Sequence, residues 1–236
     1  MSPGRLVAGS PRRLLALALC VSWTVPVSGQ TPGTRPAGRS SLAALQVACV
    51  SIASQADIDA NATAIIAALE REAREKTRLV VFPECALSSY DAKAVRALSP
   101  EQIDAAIGRI RTACRRLDLY AVVGSACFDE GRRYNAAFVI GPDGRIVKRY
   151  AKRHTVEGDL FADGDRLAIF RIDDVPATIM ICHDERYPEI FRIPVLAGAK
   201  VGIYISCESR EPLQKLDNYR SQIMARAVEN QISVVH

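Results

Sequence analysis

At 236 residues, 49% of them hydrophobic, the chain is long enough for one large domain with a real apolar core. Its formal charge of +5 falls to +2 once the first 29 residues are set aside, because they carry three arginines and no acid. A balance that mild gives no argument for a nucleic-acid partner.

Arg5, Arg12 and Arg13 precede an apolar run from Leu14 to Val27, and the small residues Ser28-Gly29 follow it. A charged start, a short apolar middle and a small-residue exit predict a signal peptide over residues 1–29, and hence an exported protein, periplasmic or extracellular. The run is too short and too poorly flanked for a spanning helix. Arg12-Arg13-Leu14-Leu15 also permits twin-arginine export, whereas Leu19 before Cys20 is too bulky for a lipoprotein signal. Residues 30–42, rich in Pro, Gly, Ser and Thr, predict a flexible spacer ahead of a single domain over 43–236.

From there strands and helices alternate. Leu45–Ile52 reads as a strand, and Asp57–Lys76 as a helix with Ile65, Ile66, Leu69 and Ala73 on one stripe. Leu79–Phe82 is a short, wholly apolar strand of the buried kind. Ser99-Pro100-Glu101-Gln102 predicts a capped helix start with proline at its first position, running to Leu117. Tyr120–Asp129, Arg133–Ile140 and Arg145–Tyr150 read as strands, the last two joined through Gly141-Pro142-Asp143-Gly144. Leu167–Ile172 and Pro176–Ile181 form another strand pair. A short helix at Pro188–Ala197, a strand at Val201–Ser206, a helix at Leu213–Asn230 and a strand at Ile232–His236 complete the run. This mixture of βα units and hairpins predicts a layered α/β sheet fold.

Three predicted strands end in one chemically loaded residue each. Glu84 follows Leu79–Phe82, Lys152 follows Arg145–Tyr150, and Cys182 follows Ala177–Ile181. Ligands bind at strand ends in open α/β sheets, so a carboxylate, an ammonium and a thiol converging there make a nucleophilic site. A thiol with a pKa near ~8.5 is protonated at neutral pH and needs a base, which Glu84 supplies. Lys152 holds the thiolate and the negative oxygen of a tetrahedral intermediate, and the His183 backbone N–H shares that oxygen. Cys182-His183-Asp184 spells a triad in a row, yet neighbours on extended backbone face opposite ways and do not meet as nucleophile and base. Three histidines, His154, His183 and His236, show no metal-ligand spacing.

Six cysteines follow the signal segment: Cys49, Cys85, Cys114, Cys127, Cys182 and Cys207. None forms a CxxC pair, and most sit in apolar runs, so all but Cys182 read as buried thiols acting as small hydrophobes rather than as disulfide partners.

The segments Val81-Phe82-Pro83-Glu84, Tyr150-Ala151-Lys152-Arg153-His154 and Ile181-Cys182-His183-Asp184-Glu185-Arg186-Tyr187-Pro188-Glu189 resemble, in this order, the glutamate, lysine and cysteine motifs of the nitrilase, or carbon-nitrogen hydrolase, superfamily. Tyr134-Asn135, Glu157 with Phe161 and Gly164, and Ala225–Gln231 fall in family order as well, so the resemblance runs from Leu45 to His236. It implies a four-layer αββα sandwich assembled as a homo-oligomer, with no metal or organic cofactor. It also implies amide or N-carbamoyl hydrolysis through a cysteine thioester. Glu84 would be the general base, Lys152 the stabiliser, Cys182 the nucleophile, and Glu157 a second glutamate that positions the lysine or the substrate.

Family members normally continue past the equivalent of His236, so the resemblance implies that C-terminal strands of the second sheet are missing here. His183-Asp184 stands where the nitrile-cleaving branch carries Trp-Glu, which favours amides or carbamoyl compounds over nitriles. Arg186 is positioned in sequence to bind a substrate carboxylate or to form a structural ion pair, and Tyr187 to line the pocket or to pack. A non-catalytic binding protein on the same fold is the competing reading. A membrane acyltransferase of the superfamily is disfavoured, since no apolar run of about 18 residues occurs outside the signal segment.

Overall fold

The computed structural model describes residues 45–207 and 213–236, with side chains from 216 onward in the second stretch. The segments read as export signal and spacer lie outside these residues. In chain order the elements are β1 (Val47–Cys49), α1 (Ile58–Arg74), β2 (Leu79–Val81), α2 (Ala92–Ala97), α3 (Pro100–Leu117), β3 (Tyr120–Asp129), β4 (Arg132–Ile140) and β5 (Ile146–Ala151). There follow β6 (Phe170–Ile172), β7 (Val175–Ile181), a 3-10 turn over Cys182–Arg186, α4 (Pro188–Leu196), β8 (Val201–Ile205), α5 (Leu213–Asn230) and β9 (Ser233–Val235).

Two sheets result. The first is five-stranded in sequence order, with β1, β2 and β3 parallel and β3, β4 and β5 joined as antiparallel hairpins. The second has four described strands, β6 antiparallel to β7, then β7, β8 and β9 parallel. They face one another through Leu79, Val81, Val122, Ala137 and Val139 on one side and Phe170, Ile179, Ile181, Ile203 and Ile205 on the other. Helices α1 and α3 cover the outer face of the first sheet through Ile65, Leu69, Ile103 and Ile110. The outer face of the second is covered by α4 and α5, where Phe191 and Ile223 pack on Met180 and Tyr204. The layer order is therefore α-β-β-α.

Local chemistry explains the helix boundaries. Asp57 caps α1 by accepting the N–H groups of Asp59 and Ala60. Ser99 and Gln102 form a reciprocal capping box at α3, with Pro100 in the first turn. A polar clamp sets the two sheets against each other. The Arg78 guanidinium donates to both oxygens of Asp173 at 2.8 and 2.6 Å, and the Tyr120 hydroxyl accepts the Asp173 N–H at 3.0 Å.

Four expectations need correction. The predicted strand at Leu167 starts only at Phe170. Ahead of it the Thr178 hydroxyl, not a ladder N–H, donates to the Ala168 carbonyl. Helix α2 was not predicted; it is six residues long and held by the Asp91 cap, too short for a periodic signal. Cys49 is exposed on the edge strand β1 and Cys207 is only half-buried after β8, whereas Cys85, Cys114 and Cys127 are buried as expected. Finally, Cys182-His183-Asp184 is not extended but coils into the 3-10 turn, which sends Asp184 back into the interior.

Candidate active site

Each of the three strand-end residues is delivered by a backbone feature that its sequence encodes. Glu84 follows β2 in a tight turn in which Cys85 adopts a φ of 53°. The turn lies flat on β3 only because residue 124 is glycine: a Cβ there would lie 2.3 Å from the Pro83 oxygen and 2.6 Å from the Cys85 nitrogen. Lys152 follows β5, its N–H bonded to the Asn135 carbonyl and its carbonyl accepting the Gly164 N–H, both at 2.8 Å. A Cβ at Gly164 would lie 2.4 Å from the Ala151 oxygen. Cys182 leaves β7 with a φ of 45°, in the left-handed region that a non-glycine residue occupies at a cost.

These ends meet between the sheets. The Glu84 carboxylate is buried, and its Oε1 accepts from the Lys152 Nζ and the Asn135 Nδ2, each at 2.7 Å. Its Oε2 accepts the Cys207 backbone N–H at 3.0 Å, at the end of β8. Cys182 lies beside Glu84 and Lys152, close enough that the Glu84 charge adds to burial in raising its thiol, and the Lys152 charge opposes that. Glu84 thus bonds Lys152 directly, and Cys182 lies within electrostatic reach of both.

Burial, the largest influence, makes Glu84 a stronger base than an ordinary glutamate, although the Lys152 charge and the Lys152 and Asn135 hydrogen bonds pull the other way. Burial disfavours the Lys152 ammonium, but the Glu84 charge and its hydrogen bond outweigh it and hold the amine protonated. The Cys182 thiol is pushed up by burial and by Glu84, and Lys152 opposes this. The resting state is therefore a carboxylate, an ammonium and a thiol. It can pass the thiol proton to Glu84 as the sulfur attacks an electrophile.

The supporting residues separate. Glu157 is half-buried and lies close enough to raise the proton affinities of Tyr90 and Lys152. His183 meets Tyr187 edge-on at 5.9 Å, and Tyr187 stacks on His154 with ring centroids 3.4 Å apart, so this pair lies along the cysteine turn. Arg186 is exposed, its guanidinium over the Tyr219 ring of α5. Among the described residues no group of three or more His, Cys, Asp or Glu could hold a metal ion.

Sequence reasoning did not assign roles to Asn135, Asp184 or the Cys207 amide. Asn135 had a signal, as a lone amide in the apolar run leading through Ala136 and Ala137. Asp184 had a weaker one, hidden by the expectation of extended backbone. A backbone N–H, as at Cys207, leaves no trace in a sequence.

Known proteins resemble this chain in sequence and fold. The chain is 27% identical over 186 residues to the hydrolase in the agr operon of Staphylococcus aureus, which is 76% of this chain and 70% of that protein. It is 30% identical over 171 residues to the 2-oxoglutaramate amidase of Bacillus subtilis (70% and 64% of the two chains). It is 33% identical over 162 residues to an (R)-stereoselective amidase of a Pseudomonas species (67% and 58%). The matched part thus spans between 58% and 70% of these relatives' lengths. Among solved structures, an amidase from Nesterenkonia superposes with a TM-score of 0.72 at 22% identity, covering 80% of this chain and 75% of that one. Nit3 of Saccharomyces cerevisiae, a member of the nitrilase superfamily, superposes at 0.70 and 24% identity, covering 77% and 70%. Residues 43–236 match the family model for carbon-nitrogen hydrolases, and the chain belongs to that family.

Proposed function

We propose that this chain is an amidase that cleaves a non-peptide C–N bond through a cysteine thioester. The observation that carries the reading is the buried Glu84 carboxylate, bonded to the Lys152 ammonium with the Cys182 thiol within reach of both charges. In the first half-reaction Glu84 accepts the thiol proton while the sulfur attacks the substrate carbonyl carbon. Charge collects on the carbonyl oxygen, which Lys152 and the His183 N–H at the start of the 3-10 turn stabilise; one such donor is worth roughly 3–4 kcal/mol. Collapse breaks the C–N bond, and the departing amine takes its proton from Glu84. In the second half-reaction Glu84 draws a proton from water, the hydroxyl adds to the thioester carbon, and the acid leaves as Cys182 is reprotonated. Glu157 supports the lysine end of the site, adding a small contribution to that of Glu84 in favouring the Lys152 ammonium.

The amidase branch is favoured over nitrile cleavage by His183-Asp184 after the nucleophile, and by the amidase names of the Bacillus and Pseudomonas relatives. Small amides and N-carbamoyl compounds are the proposed substrates. Export rests on residues 1–29 alone. Assembly as a homo-oligomer rests on the family resemblance, and the exposed Ile193, Leu196, Met224 and Val228 of α4 and α5 offer an apolar surface for it. No described helix is long and apolar enough to cross a membrane.

Ammonia release from simple amides, N-carbamoyl amino acids and nitriles, compared between the parent and Cys182→Ala, tests the reading. Release by the parent and none by the variant supports it, and the best substrate identifies the branch. Silence from a folded parent across all three classes would favour a binding role.

A further inference from the structure

The Asp184 carboxylate sits wholly inside the protein and serves neither as base nor as nucleophile in the reaction proposed above. It nevertheless accepts four hydrogen bonds. Oδ2 accepts from the Tyr150 hydroxyl at 2.7 Å and from the Ile181 N–H at 3.2 Å. Oδ1 accepts from the His154 N–H at 2.9 Å and from the Arg153 N–H at 3.2 Å. The His154 ring lies against the same oxygen, Nδ1 at 3.4 Å.

The donors fall into two groups. Tyr150, Arg153 and His154 flank Lys152 on the first sheet, whereas Ile181 immediately precedes Cys182 on the second. Asp184 itself belongs to the Cys182 turn. One carboxylate therefore ties the Tyr150 side chain ahead of the amine and the backbone just after it to the backbone on both sides of the thiol. Tyr150 belongs to the apolar cluster between the sheets with Ala137, Ile179 and Ile181. Another polar tie nearby joins the Glu84 loop to the end of β8, where the Glu84 N–H donates to the Ser206 carbonyl at 3.3 Å and Oε2 accepts the Cys207 N–H at 3.0 Å. Apolar contacts are non-directional and tolerate sliding of one surface over the other. Hydrogen bonds to an ionised acceptor are short and directional, so they define the spacing that aliphatic packing leaves loose.

Burying a carboxylate here is costly, since burial disfavours its charge, and the Tyr150, His154 and Ile181 bonds only offset that. An apolar residue would give a cheaper core but no fixed spacing between the two segments.

We propose that Asp184, with Tyr150 as its side-chain partner, is a positioning residue that sets the Lys152 amine against the Cys182 sulfur across the two sheets. The inference rests on the catalytic reading above, and a misplacement of about 1 Å at such a site costs on the order of 100-fold in rate.

The test uses the full chain carrying Tyr150→Phe or Asp184→Asn, with three readouts: thermal midpoint, kcat and KM for the best amide, and the iodoacetamide alkylation rate of the Cys182 peptide by mass spectrometry. Tyr150→Phe removes one of the four bonds and leaves the ring in place. It is expected to fold, to lose about tenfold in kcat with KM within about twofold, and to alkylate Cys182 more slowly than the parent. Asp184→Asn turns an acceptor toward donors as a donor itself and is expected to lose about 100-fold in kcat.

A fall in thermal midpoint with parent-like kcat and alkylation in Tyr150→Phe would reduce Asp184 to a core anchor and overturn the proposal, even if Asp184→Asn fails to fold. A parent that releases no ammonia from any amide overturns the hydrolase reading instead. The alkylation ratio then still decides the positioning role, equal rates refuting it.

Discussion

Gly124 of β3 lies directly against Pro83: a single added carbon at residue 124 would sit 2.3 Å from the Pro83 carbonyl oxygen. The loop that carries Glu84 is thus pressed onto the neighbouring strand, and the Gly124 carbonyl accepts the Leu87 N–H at 3.0 Å. Gly124→Ala should force the loop away and cost about 1–3 kcal/mol in stability, as overpacking does. Because the loop bears the base, kcat should fall more than KM rises. Urea unfolding with steady-state kinetics checks this; an alanine variant with parent stability and rate would show that the loop has room to shift.

The pH profile follows from the burial of Glu84. Glu84 acts only as a carboxylate, so the rate should rise with pH through its proton affinity, and burial places that limb above the ordinary 4.5. Asn135 donates to Oε1 and favours the charged form. Asn135→Ala therefore removes a stabiliser of the carboxylate and should move the acid limb to higher pH. A kcat/KM profile for parent and variant measures the shift, and movement to lower pH would contradict this account of Glu84.

Lys152 and Glu84 form a buried pair at 2.7 Å with both side chains inaccessible to water. Lys152→Met leaves Glu84 as an uncompensated buried charge, which costs about 3–5 kcal/mol. Neutralising both sites, as in Glu84→Gln with Lys152→Met, should recover part of that stability and none of the activity. Denaturant midpoints of the single and double variants decide the matter; a double variant no more stable than Lys152→Met would mean that the loss comes from packing rather than from charge.

Cys182 holds a φ of 45° without being glycine. Cys182→Gly relieves that strain and Cys182→Ala does not, so the glycine variant should be the more stable by about 1 kcal/mol while both are inactive. Equal thermal midpoints for the two would indicate that the turn relaxes in the alanine variant.

Reactivity among the thiols should be uneven. Cys114 and Cys127 are pushed up, to about 12 and about 11, by burial. In the folded protein they should resist alkylation at neutral pH. Cys49 is exposed on the edge strand but is also pushed up, to about 11, by partial burial of its thiol, so it should react faster than those two yet more slowly than an ordinary thiol. Timed peptide mapping after iodoacetamide measures this, and rapid labelling of Cys114 would reveal local opening of α3.

Much of this molecule is legible along the chain because the controlling interactions are local. Asp57 and Ser99 cap α1 and α3 within their own first turns, and β3 runs over Tyr120–Asp129 as its apolar run predicts. The placement of Glu84, Lys152 and Cys182 at strand ends is equally local, since each follows a short strand of its own. What only the tertiary structure decided is how those ends meet. The Cys207 amide on Glu84, Asn135 beside it, and Asp184 bound to Tyr150 join residues distant in sequence. Their proton affinities are governed by burial between two sheets, which depends on the whole fold. Even the direction of Asp184 turned on one dihedral angle at Cys182, where the chain leaves β7 in the left-handed region and coils inward. Periodicity and capping act within a few residues and can be read from a sequence, whereas charge, burial and hydrogen-bond partnership act through space.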